Sequence, residues 1–140
     1  MSGDAILRVE ALSKRFRGLL AISDVSFAVA AGSITSVIGP NGAGKSTLFN
    51  LVTGYLAPTT GQVFFRDRPI TDLPTNRIAE LGIGRAFQIA RPFRDLSVAE
   101  NVRIGALFGK AGPRDVARTT REALELAGLA ALADEPASVL

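Results

Sequence analysis

Gly39-Pro40-Asn41-Gly42-Ala43-Gly44-Lys45-Ser46-Thr47 fits the phosphate-binding pattern G-x-x-x-x-G-K-[ST]. Its flanks decide how it is read. Upstream, Ile34 to Ile38 has the β-branched, apolar character of a buried strand. Downstream, Leu48, Leu51, Val52 and Tyr55 fall at helical spacing. A strand, a glycine-rich loop and a helix in that order predict an anion site. Glycines let the backbone turn its N–H groups inward with no Cβ in the way. The helix adds its unpaired first amides and the positive end of its dipole. Lys45 can reach outer phosphates, and the Ser46 hydroxyl is placed to bind Mg²⁺. The stretch therefore implies a nucleoside triphosphate ligand.

The rest of the composition narrows the chemistry. The chain has 140 residues, enough for one domain with a real core. It has no cysteine, so disulfides and thiolate metal sites are excluded, and no histidine, so imidazole ligands, bases and pH switches are excluded too. No apolar run is long enough to cross a bilayer and no signal peptide opens the chain, which implies a soluble, intracellular protein. The net charge of +3 comes mostly from scattered arginines, with Lys14-Arg15-x-Arg17 the densest cluster. A nucleic-acid surface would ask for a concentrated stripe or a recognisable module, so none is expected.

Along the chain, Ile6 to Leu12 and Asp24 to Ala30 alternate apolar and polar residues, which predicts two half-exposed antiparallel strands. A further strand is expected over Gln62 to Arg66 with its exit at Asp67-Arg68-Pro69. A short helix is expected from Thr75 to Leu81 and a short strand over Ile83 to Phe87, with Gln88 at its end. Ser97-x-x-Glu100 is a capping box, placing a helix over Val98 to Phe108. Gly109 to Pro113 should break it before a second helix over Arg114 to Ala127, capped by Gly128. A soft boundary is expected near Gln88 to Asp95, dividing residues 1–90 from 91–140.

These segments together resemble the ATP-binding subunits of ABC transporters. Leu12 to Phe27 is similar to that family's opening, which implies that Phe16 stacks against adenine. "GIGRAFQ" resembles its glutamine loop, which implies that Gln88 helps coordinate Mg²⁺ and couples the nucleotide site to a helical subdomain. Gly84 to Gly109 and the phosphate loop with its flanks are similar to the branched-chain amino-acid uptake subgroup. The resemblance implies an α/β fold: a P-loop NTPase core, an antiparallel β subdomain and the start of the helical subdomain. It implies ATP and Mg²⁺ as ligands, with residues 39–47 and Phe16 on the nucleotide and Ser46 and Gln88 on the metal. It also implies a second ATP-binding subunit and permease subunits docking near Phe93 and Leu96. The place implied is cytoplasmic, peripheral on the inner face of the plasma membrane.

Hydrolysis in such a family needs further parts: a strand ending in a metal-binding Asp, a following Glu, an LSGGQ-like signature loop and a switch histidine. The histidine and the signature are absent from this sequence. Leu129 to Pro136, ending Asp134-Glu135-Pro136, imitates the strand with its carboxylates. Its Ala/Leu composition suits a helix better than a buried parallel strand. It is read instead as a loop of the kind that precedes the signature. The expectation is the N-terminal portion of an ABC ATP-binding domain, ending before the signature, with no confident catalytic residue and Gln88 as an accessory. Two alternatives stay open: a non-hydrolysing nucleotide-binding or interaction module, and an ABC-type ATPase acting on nucleic acid.

Overall fold

The computed structural model describes residues 5–89, 91–108 and 115–140. It opens with two long strands, β1 (Ala5–Phe16) and β2 (Leu19–Ala30), joined at Arg17-Gly18. Both turn residues have positive φ, 41° and 98°. That geometry suits a two-residue hairpin, because its twist matches the twist of the strands it joins. The strands pair antiparallel, with Val9 opposite Phe27, Leu12 opposite Val25 and Phe16 opposite Leu19. The alternation seen in sequence holds in β2, where Val25, Phe27 and Val29 are half-buried and the residues between them exposed.

The hairpin carries two irregularities that the alternation did not foretell. Ala11 and Asp24 take φ values of 48° and 49° and interrupt the ladder. Each freed amide finds a hydroxyl on the opposite strand: Ala11 N–H donates to Ser26 Oγ at 2.8 Å and Asp24 N–H to Ser13 Oγ at 2.9 Å. An amide left without a partner in a sheet would cost free energy, and the serines remove that cost.

On the other side of β1 lies β3 (Thr60–Phe65), antiparallel, with Val9 opposite Val63 and Leu7 opposite Phe65. A short return, β4 (Arg68–Pro69), completes a four-stranded sheet in the order β2-β1-β3-β4. Helix α1 (Lys45–Val52) buries Leu48, Leu51 and Val52, and β1, β2 and β3 bury Val9, Leu12, Ile22, Val63 and Phe65. Helix α2 (Thr75–Glu80) adds Ile78. These residues belong to the first of two compact units, Met1–Ile78.

The second unit, Ala79–Leu140, is helical. Helix α3 (Val98–Phe108) starts where the capping box places it. Ser97 N–H donates to Glu100 Oε2 at 2.8 Å, and Glu100 N–H donates to Ser97 Oγ at 3.1 Å. Helix α4 (Val116–Leu126) packs on α3 through Val98, Ala106, Val116 and Leu124, all buried. The break expected over Gly109 to Pro113 lies outside the described residues. After α4 come two short 3₁₀ turns, Ala130–Leu132 and Ala137–Val139.

Two expected strands are not formed. Ile34 to Ile38 carries no strand pairing, and Ile34 and Ile38 are 98% and 93% exposed. Ile83 to Phe87 is likewise irregular. The physical reason is shared. A strand is stable only beside neighbours that take up its amides. Among the described residues, no strand pairs with either segment. By contrast, Leu129 to Pro136 forms a short 3₁₀ turn and a loop, not a strand, in keeping with its reading as a loop. Its carbonyls serve α3: Val98 N–H donates to Glu135 O at 2.9 Å and Ala99 N–H to Ala133 O at 2.8 Å.

Candidate nucleotide site

The loop between β2 and α1 turns tightly on itself. Ala43 N–H donates to Pro40 O at 3.2 Å, and Gly42 and Gly44 take φ values of 83° and 87°. Side-chain-bearing residues rarely adopt that conformation, so the glycines are a requirement of the curl. Gly44 has a second constraint. A Cβ at that position would lie 2.6 Å from Ala21 O on β2. The loop is therefore pressed against the sheet on one side. At Gly42 a Cβ would meet nothing within 4 Å, so the loop is open there.

Gly44 is the N-cap of α1, and the first i→i−4 bond of the helix runs from Leu48 N–H to Gly44 O at 2.8 Å. The amides of Lys45, Ser46 and Thr47 precede that bond and have no acceptor within the helix. No acidic residue sits in the first turn to compete for them. The Lys45 ammonium folds back over the loop and donates to Gly39 O at 2.6 Å and Pro40 O at 2.7 Å. Lys45 is half-buried, and the Ser46 side chain stands exposed one residue further on. Amides without helical acceptors, a cation and a hydroxyl thus lie together at the positive end of α1, where negative charge is favoured.

Phe16 ends β1 at the tip of the hairpin and is 40% exposed, so its ring offers a partly open apolar face. It pairs with Leu19, two residues along β2 from Ala21, where Gly44 touches the sheet. Two residue steps of an extended strand span about 7 Å, so the structure brings Phe16 and the loop to the same end of the hairpin. Gln88 belongs to the second unit and is exposed in the irregular segment after Arg85 and Phe87, whose side chains stack with the guanidinium 4.6 Å from the ring centroid.

Phe93 is 60% exposed while its backbone is held firmly. Asn101 on α3 accepts the Phe93 N–H at 2.8 Å and donates to Phe93 O at 3.0 Å and Ser97 O at 2.9 Å. Leu96, half-buried, lies within the same clamped turn. Sequence reasoning missed Asn101. The signal available was an asparagine, a poor helix former, four residues after a helix-capping serine. Lys14 was missed as well: its ammonium donates to Ala57 O at 2.6 Å and lies 5.2 Å from the Phe16 ring centroid.

Comparison with known proteins fits this geometry. The family model described as "ABC transporter" matches residues 22–140. The high-affinity branched-chain amino acid transport ATP-binding protein LivG of Salmonella typhimurium is 46% identical over 99 residues, covering 71% of this chain and 39% of that protein. A probable LivG of Archaeoglobus fulgidus is 48% identical over 99 residues, again 71% of this chain and 38% of that protein. The BraF protein of Pseudomonas aeruginosa, another branched-chain amino acid transport ATP-binding protein, is 38% identical over 130 residues, 87% of this chain and 51% of that one. The chain thus spans roughly two fifths to one half of these relatives' length. Among solved structures, an ATP-binding cassette of an ABC transporter in its ADP conformation superposes with a TM-score of 0.82 at 33% identity, over 99% of this chain and 59% of that one. A nucleotide-free cassette gives 0.81 at 34% identity, over 97% and 59%. The antiparallel sheet, the phosphate loop and the following helices are those of an ATP-binding cassette, and the chain belongs to the ABC transporter family as part of its ATP-binding component.

Proposed function

We propose that residues 39–47 bind the phosphates of Mg-ATP and that the whole protein drives import of branched-chain amino acids or similar small solutes. The observation that carries the first part is the clasp of Lys45 over a loop whose following amides lack helical acceptors. In this reading Lys45 exchanges its two carbonyl partners for phosphate oxygens, a stronger, charge-assisted pairing. Phe16 would hold the adenine by stacking. Among the described residues no cluster of carboxylates could hold a metal unaided. Mg²⁺ would enter with the phosphates, as it commonly does, held also by the Ser46 hydroxyl. When bound it would neutralise phosphate charge.

The transport role rests on the LivG and BraF relatives, whose names state it for those proteins. In the assembled transporter this protein would pair with a second ATP-binding subunit. It would sit against the cytoplasmic face of permease subunits, with Phe93 and Leu96 in the docking region. Among the described residues no helix is long and apolar enough to cross a membrane. The 140-residue chain by itself is proposed to bind without steady turnover. Asp134 and Glu135 lie in a turn that serves α3, and the sequence holds no histidine.

Calorimetric titration of the folded chain with Mg-ATP tests the binding reading. Saturable binding that Lys45→Ala weakens by about ten- to a hundredfold supports it. No affinity for Mg-ATP, or equal affinity in the variant, overturns it. Phosphate release by the isolated chain that Lys45→Ala abolishes would refute the non-hydrolysing part.

A further inference from the structure

We infer that Lys14 is a positioning residue for the nucleobase, acting through Phe16. The inference rests on the reading of Phe16 as the base platform and goes one step beyond it. The Lys14 ammonium is not a free surface charge. It donates to the carbonyl of Ala57, at 2.6 Å, in the segment that follows α1. The same ammonium sits 5.2 Å from the Phe16 ring centroid, within the range at which a cation is attracted to an aromatic face. Two further bonds fix the Ala57 segment to the end of β1: Thr59 N–H donates to Ser13 O at 2.8 Å, and Arg15 N–H donates to Thr59 Oγ1 at 3.0 Å. The cation thus has a rigid anchor and in turn holds the ring.

The consequence is preorganisation. One face of Phe16 is engaged by Lys14, which leaves the opposite face for a flat ligand. A partly exposed aromatic at a hairpin tip would otherwise sample several rotamers and lose that freedom on stacking. Fixing one such side chain in advance is worth about three- to tenfold in affinity. The gain applies only to ligands with a base. A bare polyphosphate, held by the loop, gains nothing.

Binding of Mg-ATP and of magnesium tripolyphosphate to the 140-residue chain separates these terms. Lys14→Met keeps the length of the stem and removes the cation and its donors. It is expected to weaken Mg-ATP by about three- to tenfold, to leave tripolyphosphate unchanged and to be rescued by Lys14→Arg. Lys14→Gln keeps a donor for Ala57 O without the charge and provides the same comparison should the Met variant fail to fold; it should also weaken ATP selectively. Unchanged ATP affinity in either uncharged variant overturns the inference. Equal weakening of both ligands also overturns it, because Lys14 would then act on the phosphates or on the scaffold. Failure of the underlying reading looks different: Phe16→Ala would bind ATP as tightly as the parent, or tripolyphosphate would not bind the parent at all.

Discussion

Alanine at Gly44 tests the geometry of the loop more sharply than any change of a charged group, because the structure supplies its own control. Gly42 and Gly44 share the same backbone problem, with φ values of 83° and 87°. Placing alanine in such a conformation costs on the order of 1–3 kcal/mol. Only Gly44 has a second problem, the 2.6 Å approach of a Cβ to Ala21 O, and the obstacle is main chain that cannot rotate away. Either the loop lifts off β2 or the strand bends. Forced overpacking of this kind costs roughly a further 1–3 kcal/mol. Gly44→Ala should therefore lower stability by about 2–6 kcal/mol and Gly42→Ala by about 1–3 kcal/mol, the two sums following from those ranges. Urea unfolding followed by circular dichroism measures both, and the difference between them isolates the contact. Because lifting the loop moves the amides of α1's first turn, Gly44→Ala should also lose Mg-ATP affinity more steeply than Gly42→Ala. Equal stability losses in the two variants would refute the claim that the loop is pressed against β2.

Other changes report on other parts of the fold. Ser97→Ala removes half of the capping box and should cost about 0.5–2 kcal/mol, read in the same urea experiment; a neutral result would mean that Glu135 and Ala133 alone satisfy the start of α3. Asn101→Ala leaves the Phe93 amide without its acceptor and should raise the hydrogen-exchange rate of that amide by at least about tenfold, a loss of about 1.4 kcal/mol of protection or more, while α4 is unaffected. Lys45→Ala removes a charged donor to phosphate and should weaken Mg-ATP by about ten- to a hundredfold, measured by calorimetry. Ile38→Lys places a charge where the residue is 93% exposed, so the melting temperature followed by circular dichroism should hold, and a marked fall would mean that the side chain is covered.

The contrast between Ile38 and Ser97 shows which parts of this fold a sequence can reveal. The capping box works within one turn of chain, so Ser97 and Glu100 announce α3 and the structure forms both reciprocal bonds. Leu48, Leu51 and Val52 likewise announce the buried face of α1. The phosphate loop belongs to the same class. Its conformation is written in two glycines and a lysine, and its partners are its own carbonyls. Ile34 to Ile38 is the opposite case. Its composition says what it would be inside a parallel sheet, but a strand takes its hydrogen bonds from chain far away, and the described residues offer it none.

Lys14 and Asn101 were illegible for a related reason. A lysine on a strand and an asparagine on a helix are ordinary surface residues until the fold sets Ala57 O and the Phe93 backbone beside them. Both fix the main chain or ring next to an exposed phenylalanine, Phe16 in one unit and Phe93 in the other. Exposure alone would mark either ring as unremarkable surface. An exposed residue whose backbone is hydrogen-bonded into one arrangement has already lost part of the conformational freedom that binding would remove. The rigid setting of these two rings, more than their hydrophobicity, is what makes them candidates for contact with a ligand or a partner.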